Sequence, residues 1–496
     1  MFKFFIASLC CFALSLVQDL ETRTWKSKSG SFSTEASMVA GESDKLNADV
    51  VLLKSDGEKV TVSLEKLDSA SRKYVRDTRR ELRKKSIPSA EDKKPKTSES
   101  KTWNWRGPNL DGIADESGLL NKWTDAGPEL LWTANGIGNA MSSLAIADNM
   151  IFTMGNRDGR EHVIALNLDD GKEVWGTPIG TGGDSNSTPT VDGEFVFAIG
   201  LAGDLACLNA KTGEKVWSKS FAGDFGGKMM SEWGYSESPL IDGDRLICTP
   251  GGPNAMIVAL DKATGKTIWK TPMNPGGSRG QDGAGYSSVV ISNAGGVKQY
   301  ITLVGRGLIS VAARDGKPLW QYEKIANGTA NVPTPIVDGD LVFCSSGYDD
   351  GGTALLKITG RGKNIGFKEV YYYPSSQLQN HHGGMVKIGD YIYMGEGHNN
   401  GFPMCVDMKT GRKRWEKQRG AGTGSAAIVA ADGQLYFRYE NGVMALIDAN
   451  PKKYQLKGSF KIASHHRQAW SHPVIYKGKL YLRDQHQLHC YSIAEN

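Results

Sequence analysis

The sequence predicts an all-β chain: a propeller of repeated four-stranded units behind a small β module. Three observations carry this. First, a turn phrase followed by Trp recurs, ending at Trp175, Trp217, Trp269, Trp320 and Trp415. The Trp-to-Trp steps are 42, 52 and 51 residues, then 95, which is two periods. A period of about 40–50 residues rich in β formers marks a repeat architecture. Second, Asp-Gly turns or their relatives sit between apolar runs, as at Asp192-Gly193, Asp242-Gly243, Asp338-Gly339 and Asp432-Gly433. Third, 60 of the 496 residues are Gly while charge is modest, which suits many tight turns between short strands.

Residues 1–18 read as an export signal. Lys3 gives a positive start, Phe4 to Leu14 is apolar, and Ala13-Leu14-Ser15 fits a cleavage site. A lipid anchor on Cys10 or Cys11 fits less well, because bulky Leu9 precedes Cys10. No later stretch is apolar enough to span a bilayer.

Residues 21–75 form the small module. Trp25 opens a strand, Val50 to Leu53 is a second, Asp56-Gly57 turns the chain, and Val60-Thr61-Val62 returns. A short helix follows near Ser69 to Tyr74. The Arg-Thr-Trp opening and the Gly-x-x-Val-x-Val-x-Leu-x-x-Leu close resemble an SH3-like module of secreted bacterial proteins, a resemblance that implies packing or tethering rather than catalysis. Residues 76–101 are a linker, stopped at Pro88 and compositionally disordered afterwards. They hold ten Lys/Arg against five Asp/Glu, the whole net charge of +5. The balanced remainder excludes a broad nucleic-acid surface.

The array fills 102–496. Each unit reads as a small or polar start, an apolar strand, a turn, a second strand, a third ending in an Ala-Leu-Asp type phrase, and a fourth bearing the Trp, which describes a propeller blade. Starts at Ser142, Thr188, Glu237, Ser287, Thr334, Gly383, Ser425 and Ser471 give eight blades. Two degenerate phrases, at Gly366 to Tyr371 and Asn450 to Phe460, leave seven as the alternative count. The last unit ends after three strands, and Glu129 to Trp132 supplies the missing one, closing the ring and removing an open edge. The five Trp residues are structural: an aromatic on the outer strand stacks across the seam to the next blade. Five cysteines remain after the signal, widely spaced, which supports neither a disulfide framework nor a zinc site. Cys207 and Cys405 fall where other repeats have Ala165, Ala259 and Ser310, a position that takes a small residue.

Ala259-Leu260-Asp261-Lys262-Ala263-Thr264-Gly265-Lys266-Thr267-Ile268-Trp269 resembles the docking motif of the pyrroloquinoline quinone (PQQ) propeller repeat family. Trp103-Asn104-Trp105-Arg106-Gly107-Pro108-Asn109-Leu110-Asp111-Gly112 is similar to the Trp-Arg-Gly-Pro-x-x-x-Gly opening of its secreted bacterial members. The resemblance implies an eight-bladed propeller and two functional branches. One contains quinoprotein alcohol dehydrogenases, including the polyvinyl alcohol type. The other contains non-catalytic relatives such as the propeller lipoprotein of outer-membrane assembly. Fold alone does not choose between them.

In a blade, first-strand starts and second-strand ends emerge on one face beside the central channel. Glu237, His381, His382 and His472 stand at strand starts that are otherwise mostly small. Arg306, Asp349, Asp350, Glu396, His398, Arg438, Arg483 and Asp484 stand at second-strand ends. Channel mouths favour ligand sites, so Glu237, Arg306, Asp349, His382, Glu396, Arg438, His472 and Arg483 are the binding candidates. The arginines can clamp an anion or pair with Glu237 and Glu396. Trp233 and Tyr235 can stack on a ligand or pack the loop. Adjacent residues of a strand face opposite ways, so only one of His381 and His382 should reach inward, which argues against a metal site. The favoured reading is an exported binding or scaffold module of the cell envelope, periplasmic or secreted, with an envelope protein or polymer as partner. The alternative, implied by the resemblance, is a PQQ- and Ca²⁺-dependent alcohol dehydrogenase with Glu237, Asn380 or Asn399 on the metal and Asp349 or Asp484 as base. No adjacent cysteines exist outside the signal to cover a quinone.

Overall fold

The computed structural model describes residues 22–31, 33–38, 49–56, 58–75, 78, 102–273, 277–348, 350–415, 417–468 and 470–495. The expected signal and almost all of the basic linker lie outside them. The chain divides into two compact units, Met1–Ser98 and Glu99–Asn496. No helix among the described residues is long and apolar enough to cross a membrane.

The first unit is a four-stranded antiparallel sheet: Arg23–Lys26, Ser33–Met38, Asp49–Lys54 and Lys59–Ser63. A 3₁₀ turn (Leu64–Lys66) and a short helix over 69–75 follow. Trp25 is fully buried among Ala36, Met38, Val50, Leu52, Leu67 and Val75, and its Nε1 donates to Ala36 O at 2.9 Å. The indole thus buries its ring and satisfies its one donor.

The second unit is all-β and propeller-like, with eight sheets. They are numbered here by their first strands: Ala145–Ala147 (sheet 1), Thr190–Asp192 (2), Leu240–Asp242 (3), Val290–Ser292 (4), Ile336–Asp338 (5), Asn380–Ile388 (6), Ala426–Ala431 (7) and Val474–Tyr476 (8). The degenerate phrases are complete fourth strands, Gly366–Pro374 in sheet 5 and Leu456–Lys461 in sheet 7. Sheet 6 departs from the four-strand expectation. Its Trp415 phrase reduces to a bridge, Val406↔Lys413. Sheet 8 takes its fourth strand from Leu130–Asn135, with Cys490 opposite Trp132. Sheet 8 then packs into one apolar cluster with sheet 1, through Val474, Tyr481, Leu488, Ile151, Val163 and Ala165.

The seams follow one rule. In sheets 1 to 4 the turn glycine has positive φ, and the preceding unit's Trp lies flat against it. A Cβ on Gly171, Gly213, Gly265 or Gly316 would meet Trp132, Trp175, Trp217 or Trp269 at 2.4–2.8 Å. The indole Nε1 donates to the carbonyl three residues before that glycine: Trp175 to Ala210, Trp217 to Lys262, Trp269 to Ala313. Trp415 donates to Asn450 O. Trp320 differs. It donates to Gln299 Oε1 within its own sheet, because sheet 5 lacks the turn phrase and presents Phe367 instead. Opposite each Trp sits a small residue, Ala165, Cys207, Ala259, Ser310 or Cys490. The five cysteines among the described residues are buried and free.

Candidate functional site

At the starts of the first strands of sheets 1 and 2, hydroxyls reach the neighbouring sheet. Ser143 Oγ donates to His472 O, Ser187 Oγ to Glu237 O, and Thr190 Oγ1 to Pro239 O. This belt explains the small polar starts, since each hydroxyl satisfies a carbonyl buried at a seam. The candidate residues interrupt it.

Sheet 6 brings histidines together. Asn380 pairs with Glu396 and Met385 with Met394, so residues 381–384 bulge opposite Gly395 alone. The alternation that would send His381 and His382 to opposite faces is lost there, and their rings lie 4.0 Å apart. The opposite-face arrangement expected of adjacent strand residues is therefore not what these two adopt. His381 also stacks on His398 at 4.5 Å, and both meet the ring edge of Tyr348 at 4.9 Å. His382 meets Trp470 at 4.8 Å. His381 Nδ1 is 2.6 Å from Ser425 Oγ, while its Nε2 is buried without a partner. Burial and the His398 ring push the His381 pKa down to about 4. His472 lies against Trp105 at 3.9 Å, and burial pushes its pKa down to about 4. Tyr348, Trp470 and Trp105 are the members that sequence reasoning missed. Tyr348 and Trp470 sit in loops of unequal length, and the Gly383-Gly384 pair was the one local sign of the bulge.

Sheets 7 and 8 hold the arginines. Arg438 is fully buried and donates to Ser471 O and Arg483 O. Arg483 donates to Gln485 O, Gly138 O and Thr153 Oγ1. Burial lowers the two guanidinium pKa values to about 10 and about 9. Neither pairs with Glu237 or Glu396, and Arg306 binds Asp282 at 2.7 Å instead. Backbone carbonyls, invisible in a residue pattern, take the donors. Asp484 is 1% exposed; its Oδ2 accepts from Ser464 Oγ, His466 N and His466 Nδ1.

Glu237 is also buried. Its Oε1 accepts from Thr249 N at 2.5 Å and its Oε2 has no partner, so burial raises its pKa to about 8. Burial likewise raises Glu396. Asp350 Oδ2 accepts from Gly328 N. Asn380 donates to Gly395 O, and Asn399 Oδ1 lies 3.5 Å from Ser425 Oγ. Trp233 is half exposed, whereas Tyr235 is buried and donates to Pro250 O. Asp349 lies outside the described residues.

A Ca²⁺–PQQ site needs oxygen ligands converging on one ion and a free carboxylate beside it. Glu237 Oε2, Asn380 Oδ1 and Asp484 Oδ1 are each buried without a hydrogen-bond partner, but they stand on sheets 3, 6 and 8 and no contact among the described residues brings them to one ion, so the residues do not fit the group. Among the described residues no group of three or more His, Cys, Asp or Glu is placed to hold a metal.

The segment after the linker, which carries Trp105, forms a strap. Thr102–Trp103 pairs with the first strand of sheet 2, and Ile113–Ala114 with that of sheet 7. The intervening residues therefore run between these two sheets at the turn end of the channel.

The family model described as outer membrane protein assembly factor BamB matches residues 159–417. The model of SLA1 homology domain 1 matches residues 17–82. An outer membrane protein assembly factor BamB of Shewanella oneidensis is 25% identical over 246 residues, 48% of this chain and 56% of that protein. A tetrathionate hydrolase of Acidithiobacillus ferrooxidans is 26% identical over 238 residues, 44% of each. The matches thus span about half the length of these relatives. A quinohemoprotein alcohol dehydrogenase of Pseudomonas putida shares the fold with a TM-score of 0.56 at 13% identity, over 79% of this chain and 80% of that one.

Proposed function

We propose, because the chain belongs to the PQQ-repeat family described as outer membrane protein assembly factor BamB, that it is an exported eight-bladed propeller acting as a binding or scaffold module of the cell envelope. One observation carries the choice of scaffold over dehydrogenase. Asp484, which with Asp349 is one of the two bases the resemblance implies, is 1% exposed, with Oδ2 held by Ser464 and His466 and Oδ1 buried away from solvent. A general base needs a free lone pair within reach of substrate. Arg438 and Arg483 likewise direct their terminal donors to Ser471 O, Arg483 O, Gly138 O and Thr153 Oγ1, so this pair is not free to clamp an anionic quinone. What the strand-start face offers is contact surface: half-exposed Trp233 and the His398–Tyr348 edge, residue types that anchor protein interfaces.

The test is in-cell photo-crosslinking from positions 233 and 398 of the full chain, followed by fractionation. The expected result is a discrete adduct with an envelope protein, in the envelope fraction. Absence of any adduct, or alcohol-dependent dye reduction by the purified protein with added PQQ and Ca²⁺, would overturn the proposal.

A further inference from the structure

Beneath the strap the channel holds a cavity of about 350 Å³. Its walls are apolar side chains from the first strands of sheets 3, 4 and 5, with Leu240, Val289, Ile336 and Val337 among them. Its rim is the strap itself, where Asn109 and Asp111 are exposed to solvent. Arg106 lines the cavity, and its guanidinium has no hydrogen-bond acceptor among the described residues. The backbone of Arg106 is fixed at both ends, its N–H by Asn104 Oδ1 at 2.9 Å and its carbonyl by Gly112 N at 3.0 Å. The side chain is thus held at the cavity by a rigid turn, with five donors unspent. Desolvation lowers its pKa to about 10, and the nearby Asp111 charge opposes that.

We propose that this cavity binds a small monocarboxylate with an apolar body. A carboxylate matches the planar guanidinium fork, which takes two parallel hydrogen bonds. The rest of the ligand lies against the aliphatic walls and removes their surface from water. A phosphate fits poorly. Lys387, the other cation of the lining, pairs with Asp338 at 3.2 Å, and Asp111 opposes a second negative charge. The volume sets the size. At about 30 Å³ for each water-sized group, the cavity of about 350 Å³ takes about twelve non-hydrogen atoms, room for octanoate. Sheet 6 adds a reason for the position: Val386 packs against Gly112, where a Cβ would lie 3.0 Å from its Cγ1, so the strap seats directly on the wall.

The probes are octanoate and 1-octanol, titrated calorimetrically into the full chain. Octanoate should bind one-to-one and more tightly than octanol. Arg106→Gln should weaken octanoate at least tenfold while leaving octanol unchanged, and Arg106→Lys should recover part of the loss. Val337→Trp, which fills the cavity without touching the strap's hydrogen bonds, should abolish both. Melting curves identify a variant that fails to fold, in which case the other two decide. The proposal is overturned if octanoate gives no binding, if octanol binds as tightly, or if a folded Arg106→Gln protein binds octanoate as well as the parent. None of these outcomes bears on crosslinking from positions 233 and 398.

Discussion

Gly213→Ala tests whether the seams hold as described. Gly213 has φ of 74°, a left-handed backbone that costs a residue with a Cβ about 1–2 kcal/mol. At this position the new Cβ would also lie 2.6 Å from Trp175 Cδ2 and 2.9 Å from Thr177 Oγ1. Neither neighbour can withdraw freely. Trp175 Nε1 donates to Ala210 O at 3.1 Å, and Thr177 Oγ1 donates to Gly213 O at 2.7 Å. Overpacking a fixed contact adds about 1–3 kcal/mol. Gly193 supplies the control. Its φ is also positive, 58°, and a Cβ there meets nothing within 4 Å. Gly193→Ala should therefore lose about 1–2 kcal/mol and Gly213→Ala about 2–5 kcal/mol. The assay is urea unfolding followed by far-ultraviolet circular dichroism, with indole fluorescence reporting the seam. Equal midpoints for the two variants would refute the claim that the turn glycine exists to receive the Trp.

Two further predictions concern pH. His489 is 1% exposed, its ring nitrogens sit 2.9 Å from Thr133 Oγ1 and 2.7 Å from Ser464 Oγ, and burial pushes its pKa down to about 4. An unfolded His binds its proton near pH 6.5, so this stability is whole above that value and is lost as pH falls from about 6.5 to 4, about 3 kcal/mol at most. Urea midpoints measured from pH 7.5 to 4.5 should drop in the parent and drop less in His489→Gln; parallel profiles would contradict this. Glu237 carries the opposite sign. Its folded pKa of about 8 exceeds the ordinary 4.5, so its contribution is whole below 4.5 and is lost as pH rises toward 8. Glu237→Gln should gain on the parent between pH 5 and 7.5, by at most about 1.4 kcal/mol per pH unit, and a constant difference across that range would sink the assignment.

The repeat was legible because its determinants are local. A glycine with positive φ and a Trp a few residues later recur in five units, so the period shows in the sequence. Where the aromatic changed identity, legibility faded but the geometry did not. Tyr373 packs on Gly411, and Tyr371 Oη donates to Met408 O at 2.7 Å. A tyrosine pair thus does at the seam of sheets 5 and 6 what Trp269 does with Gly316 and Ala313 at that of sheets 3 and 4. The site was less legible for two physical reasons. The His381–His382 arrangement depends on a bulge, and a bulge is set by pairing against Glu396 and Met394 rather than by the local residues. The arginines were placed at the right end of their strands, but their partners are carbonyls of Ser471, Arg483, Gln485 and Gly138. Any residue has a carbonyl, so no pattern announces it. Arg106 was visible only as part of an opening motif, and its position at a cavity needed the strap's two pairings.

The buried arginines make sense once the closure is considered. Seven seams join units contiguous in sequence, but the seam between sheets 8 and 1 joins chain segments more than 300 residues apart, a costlier loop to close. Arg483 sits there and ties sheet 8 to Thr153 and Gly138. Ser143 reaches across to His472 O, and Trp132 covers Gly171. Arg438 repeats the device one seam earlier, between sheets 7 and 8. A fully buried guanidinium is costly unless its donors are met, and its reach lets it satisfy carbonyls on two sheets at once, which a Ser hydroxyl cannot. The residues that look most like a ligand clamp therefore stand where the ring is hardest to hold. Chemistry left free for a ligand lies elsewhere, on the His–aromatic cluster and at Arg106 under the strap, which Trp105 joins through its contact with His472.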